Sequence, residues 1–582
     1  MVCFAIAVYA GYSMGNLRFW AHYPLFLLMG GWAGIVLFVY SLRIPTTRSM
    51  NLLLLSIGSG LLLAKGFVYT SPLLFVGFAP LLILQHNLDS GEKPAKYSTH
   101  WWYTFNAFIF WNIGATWWVA NASLVPAIVA FVLNSFFMSI PWLGMIKFGR
   151  AFPKLKYMAF IAFWICFEWV HQAWEISWPW LTLGNGLAFW PKLIQWYDIT
   201  GTFGGTLWIL LVNILIAIII IKKQYSIVRI GTVVLLLVIP AVYGIYKYQS
   251  FSLKGNPVEV GIVQPNYEPH YEKFDIDQNM QMIKFENLSR VACTPNTRYL
   301  IWPETSFEVI HTDEFDTDWR IKRMRDITLG YQNLCLVSGV TTLKPFKTGE
   351  PHTDATRKNK EGRIPQFYEY QNSAIQISSI DTTIPVYVKS KLVPGVETFP
   401  YRHLLPFLKP IVEMFEGSSI YGLGKQKERT IFQNGKYKIA PVICYESIYG
   451  NYIGDYIRKG AQAIFIMTND GWWDDTPGYK QHLAFGVLRA IEFRRPIARA
   501  ANTGISCYVD AKGDVSQATQ YGKEAAITKS ILFSDETTAY LMTGDLIAYI
   551  CIYLTIAFIA MGLYRVLRKI SISRHQPSGK SI

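Results

Sequence analysis

Charge is scarce in this chain. Asp, Glu, Lys and Arg make up 16% of 582 residues, against about 25% in ordinary soluble domains. That excludes intrinsic disorder and a wholly soluble enzyme of ordinary composition. Acid is scarcer still outside one stretch. Residues 251–540 hold 34 Lys and Arg against 33 Asp and Glu, whereas the rest of the chain holds 20 basic residues and only 6 acidic ones. The net charge of +15 therefore belongs to the apolar part of the chain, where membrane proteins carry it. No basic patch marks a folded domain, so a nucleic-acid partner is not expected. Cysteine is also sparse. Seven are present, with no CxxC pair and no metal-ligand spacing, which argues against a disulfide framework and a metal centre. Cys3, Cys166 and Cys551 fall in apolar runs; Cys293, Cys335, Cys444 and Cys507 fall within 251–540. Residues 1–16 are apolar but short and lack a basic start, so a cleaved signal peptide is not expected.

What is abundant is apolar. Hydrophobic residues reach 52% and aromatics 15%. Runs near the ~20 residues needed to cross a bilayer occupy 20–42, 122–146, 203–221, 230–246 and 546–564. Shorter or more aromatic candidates are 51–64, 71–85, 102–119 and 157–173. One set of alternate loops, with the C-terminal tail, carries 16 Lys and Arg, from Arg43 to Lys580; the opposite loops carry only Arg18, Lys65, Lys192 and Lys247. The basic side is expected to be cytoplasmic, which puts 250–540 outside. The expected division is an N-terminal extension with an additional membrane segment (1–48), a multi-helix membrane domain (49–249), an exterior domain (250–540), a C-terminal transmembrane helix (541–568) and a basic cytoplasmic tail (569–582).

The exterior stretch alternates β-rich runs with helical patterns. Strands are expected at 258–263, 298–303, 333–340, 374–378, 384–389, 437–444, 462–467 and 505–510. Helices are expected at 276–292, 317–330, 448–459 and 480–494. The polar region 345–370 reads as a loop. This alternation predicts an α/β fold with a largely buried sheet. Three polar residues stand at strand ends, where α/β sheets gather their chemistry: Glu304, Lys389 and Cys444. Taken singly, Cys444 reads as a buried inert thiol, Glu304 as a helix-start acid and Lys389 as a surface charge. Taken together they form a set: a base for a thiol, and a cation that favours the thiolate and stabilises an oxyanion.

The motifs WPET (302–305), YVKSKLVP (387–394) and CYES (444–447) resemble the Glu, Lys and Cys signatures of the carbon–nitrogen hydrolase (nitrilase) superfamily. With VGIVQPN (260–266), TNDGWW (468–473), QHLAFGVLRAIEFRRP (481–496), RAANTGIS (499–506) and WPWLTLGNG (178–186), the chain resembles more closely the bacterial apolipoprotein N-acyltransferase family over about 50–565. The resemblance implies a polytopic α-helical membrane domain bearing an exterior nitrilase-like αββα four-layer sandwich. It implies a multi-pass protein of the bacterial inner membrane, with its catalytic domain periplasmic. It also implies a membrane phospholipid as acyl donor, a diacylated apolipoprotein as acceptor, a Cys thioester with ping-pong kinetics, no cofactor or metal, and a monomer. Residue by residue it implies Glu304 as general base, Lys389 as oxyanion stabiliser and Cys444 as nucleophile. Glu397, Tyr445 and Glu446 are the supporting residues, and Phe274, Trp472 and Trp473 the lipid-facing candidates. Lys391, two residues further on, is the alternative to Lys389. Two departures stand out. Gly395-Val396-Glu397 replaces the family's Phe-Gly-Glu, and YLMTGDL (540–546) carries Met542 and Leu546 where the family has Arg and Trp. Two rival readings remain at this level: a membrane-tethered amidase with the same three residues, and a transporter with an exterior sensor domain. The first needs only one anchor. The second needs more intramembrane ionisable groups than Glu168 and Glu175 supply.

Overall fold

The computed structural model describes residues 22–42, 46–68, 70–269, 272–273, 275–359, 366–379, 381, 383–402, 404 and 422–575. Seven of its helices are long and apolar enough to cross a bilayer: Tyr23–Ser41, Thr47–Val68, Ser71–Asp89, Leu124–Ala151, Tyr197–Lys222, Ile227–Ser250 and Leu546–Ser571. Two more aromatic helices, Tyr97–Thr116 and Lys156–Ala173, complete the bundle, and most residues of the first are buried. Counting all nine, the chain changes sides at each helix, so the basic loops around 90–96, 152–155 and 223–226 share one face of the bundle with the residues after Arg565. Half of 1–48, including Arg18 and Arg43, lies outside the described residues, as does Lys580.

The segment between the helices Lys156–Ala173 and Tyr197–Lys222 folds as short 3-10 turns. Glu168 ties it down. Its Oε1 accepts from Trp164 Nε1 at 3.0 Å and from the Leu183 backbone N–H at 2.8 Å, and its Oε2 accepts from Thr206 Oγ1 at 2.7 Å. The Glu168 carboxyl thus clamps this segment to the two flanking helices. Gly184 is needed there because a Cβ would stand 1.9 Å from the Thr202 carbonyl.

The α/β domain holds fourteen strands among the described residues: β1 (Asn256–Gln264), β2 (Tyr299–Trp302), β3 (Ile310–His311), β4 (Cys335–Pro345), β5 (Arg357–Lys358), β6 (Phe367–Ser378), β7 (Val386–Val388), β8 (Phe432–Asn434), β9 (Tyr437–Ile443), β10 (Ala463–Thr468), β11 (Ile497–Ala501), β12 (Cys507–Val509), β13 (Val515–Ser516) and β14 (Ala525–Phe533). One sheet runs β14-β1-β2-β4-β6-β5, with β3 on β4 and β7 on β6; the other runs β13-β12-β11-β10-β9-β8. Each is parallel at its centre, through β1-β2-β4 and β9-β10-β11. Strand alternation sorts the side chains into layers. Tyr299 and Ile301 of β2 enter the core between the sheets, while Leu300 and Trp302 enter the core under the helices Gln278–Ala292 and Trp319–Leu329. Tyr299 packs on Phe465 across the sheet interface and on Phe533 of its own sheet, with ring centroids 5.2 and 6.0 Å apart. The helices Gly450–Arg458 and Pro477–Phe493 cover the second sheet, completing the αββα order.

The helix Pro477–Phe493 is buried on both sides because it also rests on the membrane helices. Gln481 accepts from Trp180 Nε1 at 2.7 Å and donates to the Ala115 carbonyl at 3.1 Å. Phe485 meets Trp180 at 5.1 Å. Just beyond the helix, Arg494 pairs with Asp198 at 2.7 Å, and Asp198 also holds Lys247 at 2.5 Å.

Three expectations need correction. The region 345–370 is not simply a loop: β5 lies in it, and β6 begins at Phe367, well before the expected 374. The sequence reading passed over β14, most of whose residues are only half-buried and so show a weak alternation. It also passed over β11 (IARAA), whose Arg499 is buried by pairing with Asp470 at 2.7 Å.

Candidate active site

Three strands deliver the expected polar residues to one place. After β2, the backbone turns at Pro303-Glu304, and Thr305 takes φ +51°. The turn packs so tightly on β4 that a Cβ at Gly339 would lie 2.6 Å from Glu304 Cα. After β7, Lys389 is fixed by its backbone N–H to the Asn372 carbonyl at 2.8 Å. After β9, Cys444 adopts φ +48°, which a non-glycine residue rarely holds, and opens the short turn Cys444–Ile448. That kink lifts the thiol off the strand line.

Lys389 is the centre of the cluster. Its ammonium, 1% exposed, donates to Glu304 Oε1 at 3.1 Å and to Glu397 Oε1 at 2.8 Å. Asn372 Nδ2 bridges the same two carboxylates at 2.8 and 3.1 Å. Glu397 Oε2 accepts the Val393 N–H at 2.8 Å. Burial works to raise the Glu304 carboxyl, but Lys389, Asn372 and Lys273 outweigh it and hold it below the usual carboxylate range. For Lys389 burial is likewise overcome, by Glu304 and Glu397, so the ammonium stays charged well above its ordinary range. The Cys444 thiol moves the other way. Burial pushes it well above the ordinary thiol range, the Glu304 carboxylate adds to this, and Lys389 offsets only part. The resting arrangement is a carboxylate, an ammonium and a protonated thiol.

These groups share a cavity of about 370 Å³. Lys273, Thr305, Thr341, Asn372 and Asn469 line its polar part; Val393, Val396, Leu423, Trp472 and Trp473 line its apolar part. The membrane domain supplies a wall of its own, Ala122, Ser123 and Pro126, at the start of the helix Leu124–Ala151. The cavity thus lies where the α/β domain meets that helix.

The remaining predicted residues divide. Trp472 and Trp473 both line the cavity, and Trp473 meets Trp118 and Trp180 of the membrane domain edge to face, with ring centroids 4.7 and 5.8 Å apart. Phe274 lies outside the described residues. Tyr445 does not line the cavity. Its hydroxyl donates to the Ser177 carbonyl at 2.9 Å, and its ring stacks on Trp178 at 6.2 Å, pinning the turn after Cys444 to the membrane domain. Glu446 is buried behind the site. Its Oε1 accepts from the hydroxyls of Tyr387 and Tyr452, both at 2.5 Å, and from the Ser390 N–H at 2.7 Å; its Oε2 accepts the Ile443 N–H at 3.0 Å. One carboxylate therefore registers the strand end bearing Cys444 against the segment bearing Lys389. Lys391 points away, donating to the Gln172 carbonyl at 3.0 Å and lying over the Tyr449 ring. The Gly395-Val396 turn keeps Glu397 in place: Gly395 takes φ +84° and Val396 faces the cavity. Met542 and Leu546 are exposed.

Sequence reasoning missed three contributors. Asn372 stands in β6 upstream of the expected strand. Lys273 is 5% exposed, and its ammonium reaches the Glu304 backbone carbonyl at 3.2 Å. The third is a buried network. Asp470 holds His482 Nδ1 at 2.9 Å and Arg499 at 2.7 Å, and His482 Nε2 lies 3.1 Å from the Cys444 carbonyl oxygen. Its signal was in the quoted motifs, TNDGWW, QHLAF and RAANTG, which bring the three residues together.

Comparison with known proteins bears on most of the chain. A family model described as "Apolipoprotein N-acyltransferase N-terminal domain" matches residues 58–215, and one described as "Carbon-nitrogen hydrolase" matches residues 259–538. An apolipoprotein N-acyltransferase of Chlorobaculum tepidum is 28% identical over 514 residues, covering 85% of this chain and 93% of its own length. One from Geobacter metallireducens is 27% identical over 533 residues, covering 86% and 93%. Among solved structures, an amidase of Nesterenkonia AN1 from the nitrilase superfamily is 13% identical with a TM-score of 0.34, covering 52% of this chain and 98% of its own. Saccharomyces cerevisiae Nit3, a nitrilase-superfamily member, is 15% identical with a TM-score of 0.35, covering 50% and 96%.

Proposed function

The chain belongs to the apolipoprotein N-acyltransferase family, and from that premise we propose that it transfers an acyl chain from a membrane phospholipid to the N-terminal amine of a diacylglyceryl-cysteine lipoprotein, through a thioester on Cys444. The observation that carries this reading is the composite cavity: the Glu304–Lys389–Cys444 cluster is walled on one side by the start of the membrane helix Leu124–Ala151. A small-amide hydrolase has no use for such a wall, whereas a lipid acyl chain enters from that side.

The chemistry follows from the electrostatics. A thiol pushed up by burial is not a standing thiolate, so Glu304 takes its proton as sulfur attacks the ester carbonyl. Lys389 holds the tetrahedral oxyanion. Glu304 returns the proton to the departing lysophospholipid oxygen, leaving the thioester. The lipoprotein amine then attacks the thioester carbonyl and gives its proton to Glu304. The second oxyanion collapses, the amide forms and the thiol is restored. Glu397 and Asn372 aim Lys389, and Glu446 keeps the nucleophile in register with it. Trp472 and Trp473 form the apolar part of the cavity, where the acyl chain lies. One nucleophile serving two substrates in turn gives ping-pong kinetics.

Orientation follows from the loop charges: the basic face is cytoplasmic, and the α/β domain lies on the periplasmic side of a bacterial inner membrane. We take the working unit to be a monomer, since every group the chemistry calls on comes from this one chain. The test is product analysis. With phospholipid and a model diacylated lipopeptide, mass spectrometry should find the peptide amine acylated. Ammonia released from small amides, with no acylated peptide, would support the amidase reading instead.

A further inference from the structure

At the opposite end of the membrane domain, a second cleft of about 450 Å³ opens between the ends of the helices Leu124–Ala151, Lys156–Ala173 and Leu546–His575. Four cations line it: Lys147, Arg150, Arg565 and Lys569. None of the described residues lining it is acidic. Arg150 is already engaged by Asp89 at 2.6 Å. Arg565 donates to the Ala151 carbonyl, which anchors the last helix to the end of the helix Leu124–Ala151. Lys147 and Lys569 are exposed, and neither has an acidic partner among the described residues. The floor is different in kind. Phe163 and Phe558 form it, 6.2 Å apart, and the wall at Gly562 is open, with nothing within 4 Å of where a Cβ would stand.

A rim of cations over an apolar floor, at the end of a helix bundle, has the two-part chemistry of one ligand. We propose that this cleft binds an anionic phospholipid of the leaflet on the basic face. The phosphate would lie among Lys147, Arg565 and Lys569, and one acyl chain would lie along Phe163, Phe558 and Gly562. Free phosphate would meet the cations but gain nothing from the floor. A zwitterionic lipid would gain from the floor but bring a positive headgroup against the rim. The site stands apart from the catalytic cavity, which opens at the other end of the helix Leu124–Ala151, so a lipid here is a bound component and not the acyl donor.

The test uses the full-length protein in detergent micelles with ether-linked phosphatidylglycerol, which has no acyl ester to donate. Binding is read by thermal stabilisation and by native mass spectrometry, with ether-linked phosphatidylcholine as comparison. The wild type should be stabilised by phosphatidylglycerol and much less by phosphatidylcholine. The double variant K147Q/K569Q changes two exposed side chains. It should melt like the wild type without lipid and bind phosphatidylglycerol about thirtyfold more weakly, the effect of two interfacial cations. The charge reversal K147E/K569E should bind more weakly still. Unchanged phosphatidylglycerol binding by K147Q/K569Q, or equal binding of the two lipids by the wild type, would overturn the proposal. Because the readout is made in micelles, it does not depend on which side of the membrane the basic face occupies.

Discussion

Replacing Lys389 with Met removes the one ammonium that Glu304 and Glu397 share. In the wild type that ammonium is 1% exposed and bonded to both carboxylates, and Asn372 holds the same two oxygens within one amide's reach. Without it, two buried carboxylates face each other. Breaking a buried ion pair by deleting one partner costs about 3–5 kcal/mol. The pair relieves itself by holding a proton, so the Glu304 carboxyl, now below its ordinary range, moves above it. The sign of the pH dependence then reverses. A depressed carboxyl contributes stability above its unfolded value and loses it as pH falls; a raised one favours the fold at low pH and loses that advantage as pH rises. Lys389→Met should therefore be destabilised more at pH 8 than at pH 5, and a protonated Glu304 should be unable to accept the Cys444 proton. Adding Glu397→Gln restores the cluster's net charge, so the double variant should regain about 2 kcal/mol or more of the loss. It should still form no thioester, because the oxyanion has no cation. Thermal melts in detergent and single-turnover labelling with radiolabelled phospholipid read the two effects separately. A single variant as stable as the wild type at pH 8, or a double variant no more stable than the single, would refute the cluster electrostatics.

Other outcomes follow from the same geometry. Cys444→Ala should fold and insert but form no acyl-enzyme, while Cys293, Cys335 and Cys507 should each tolerate Ala with packing losses of about 1–2 kcal/mol, checked by the same labelling and by melts. Lys391→Ala should keep most activity, whereas Lys389→Arg should not, because a planar fork cannot take the place of a compact ammonium between two carboxylates; the opposite pattern would move the oxyanion role to Lys391. Glu446→Gln should lower the rate of thioester formation about a hundredfold by loosening the register between Cys444 and Lys389, with little change in phospholipid affinity. The rate of thioester formation should stay level through neutral pH and fall only as Glu304 protonates, without a rise near the ordinary thiol range of about 8.5; such a rise would indicate a standing thiolate. In a Cys444→Ala background, a reporter Cys at Thr348 should react with an impermeant reagent from outside intact cells and one at Ser578 should not.

The sequence carried the parts of this fold whose signals are local. Strand-end placement marked Glu304, Lys389 and Cys444, because in a buried parallel sheet a polar residue after an apolar run has few places to go. Long apolar runs and loop charge marked the bundle, and the aromatic helix Tyr97–Thr116 was seen only as a weaker candidate because its Asn and His residues dilute the hydropathy. What escaped depended on partners distant in the chain. Arg499 made β11 unreadable until Asp470 stood beside it. Asn372 has no meaning in β6 until Glu304 and Glu397 meet at its amide. Tyr445 reads as a neighbour of the nucleophile, yet it serves the junction, because Ser177 and Trp178 come from another domain.

The most direct test of the acyl-transfer account is a chase. Purified protein is incubated with isotope-labelled phospholipid and no acceptor, then given excess unlabelled phospholipid together with a diacylated lipopeptide, and both protein and peptide are followed by intact mass spectrometry. The account predicts one labelled acyl increment on Cys444, discharged by the lipopeptide and recovered on its N-terminal amine in equal amount. Labelled peptide without a labelled Cys444, or an acyl-enzyme that the lipopeptide leaves untouched, would contradict it.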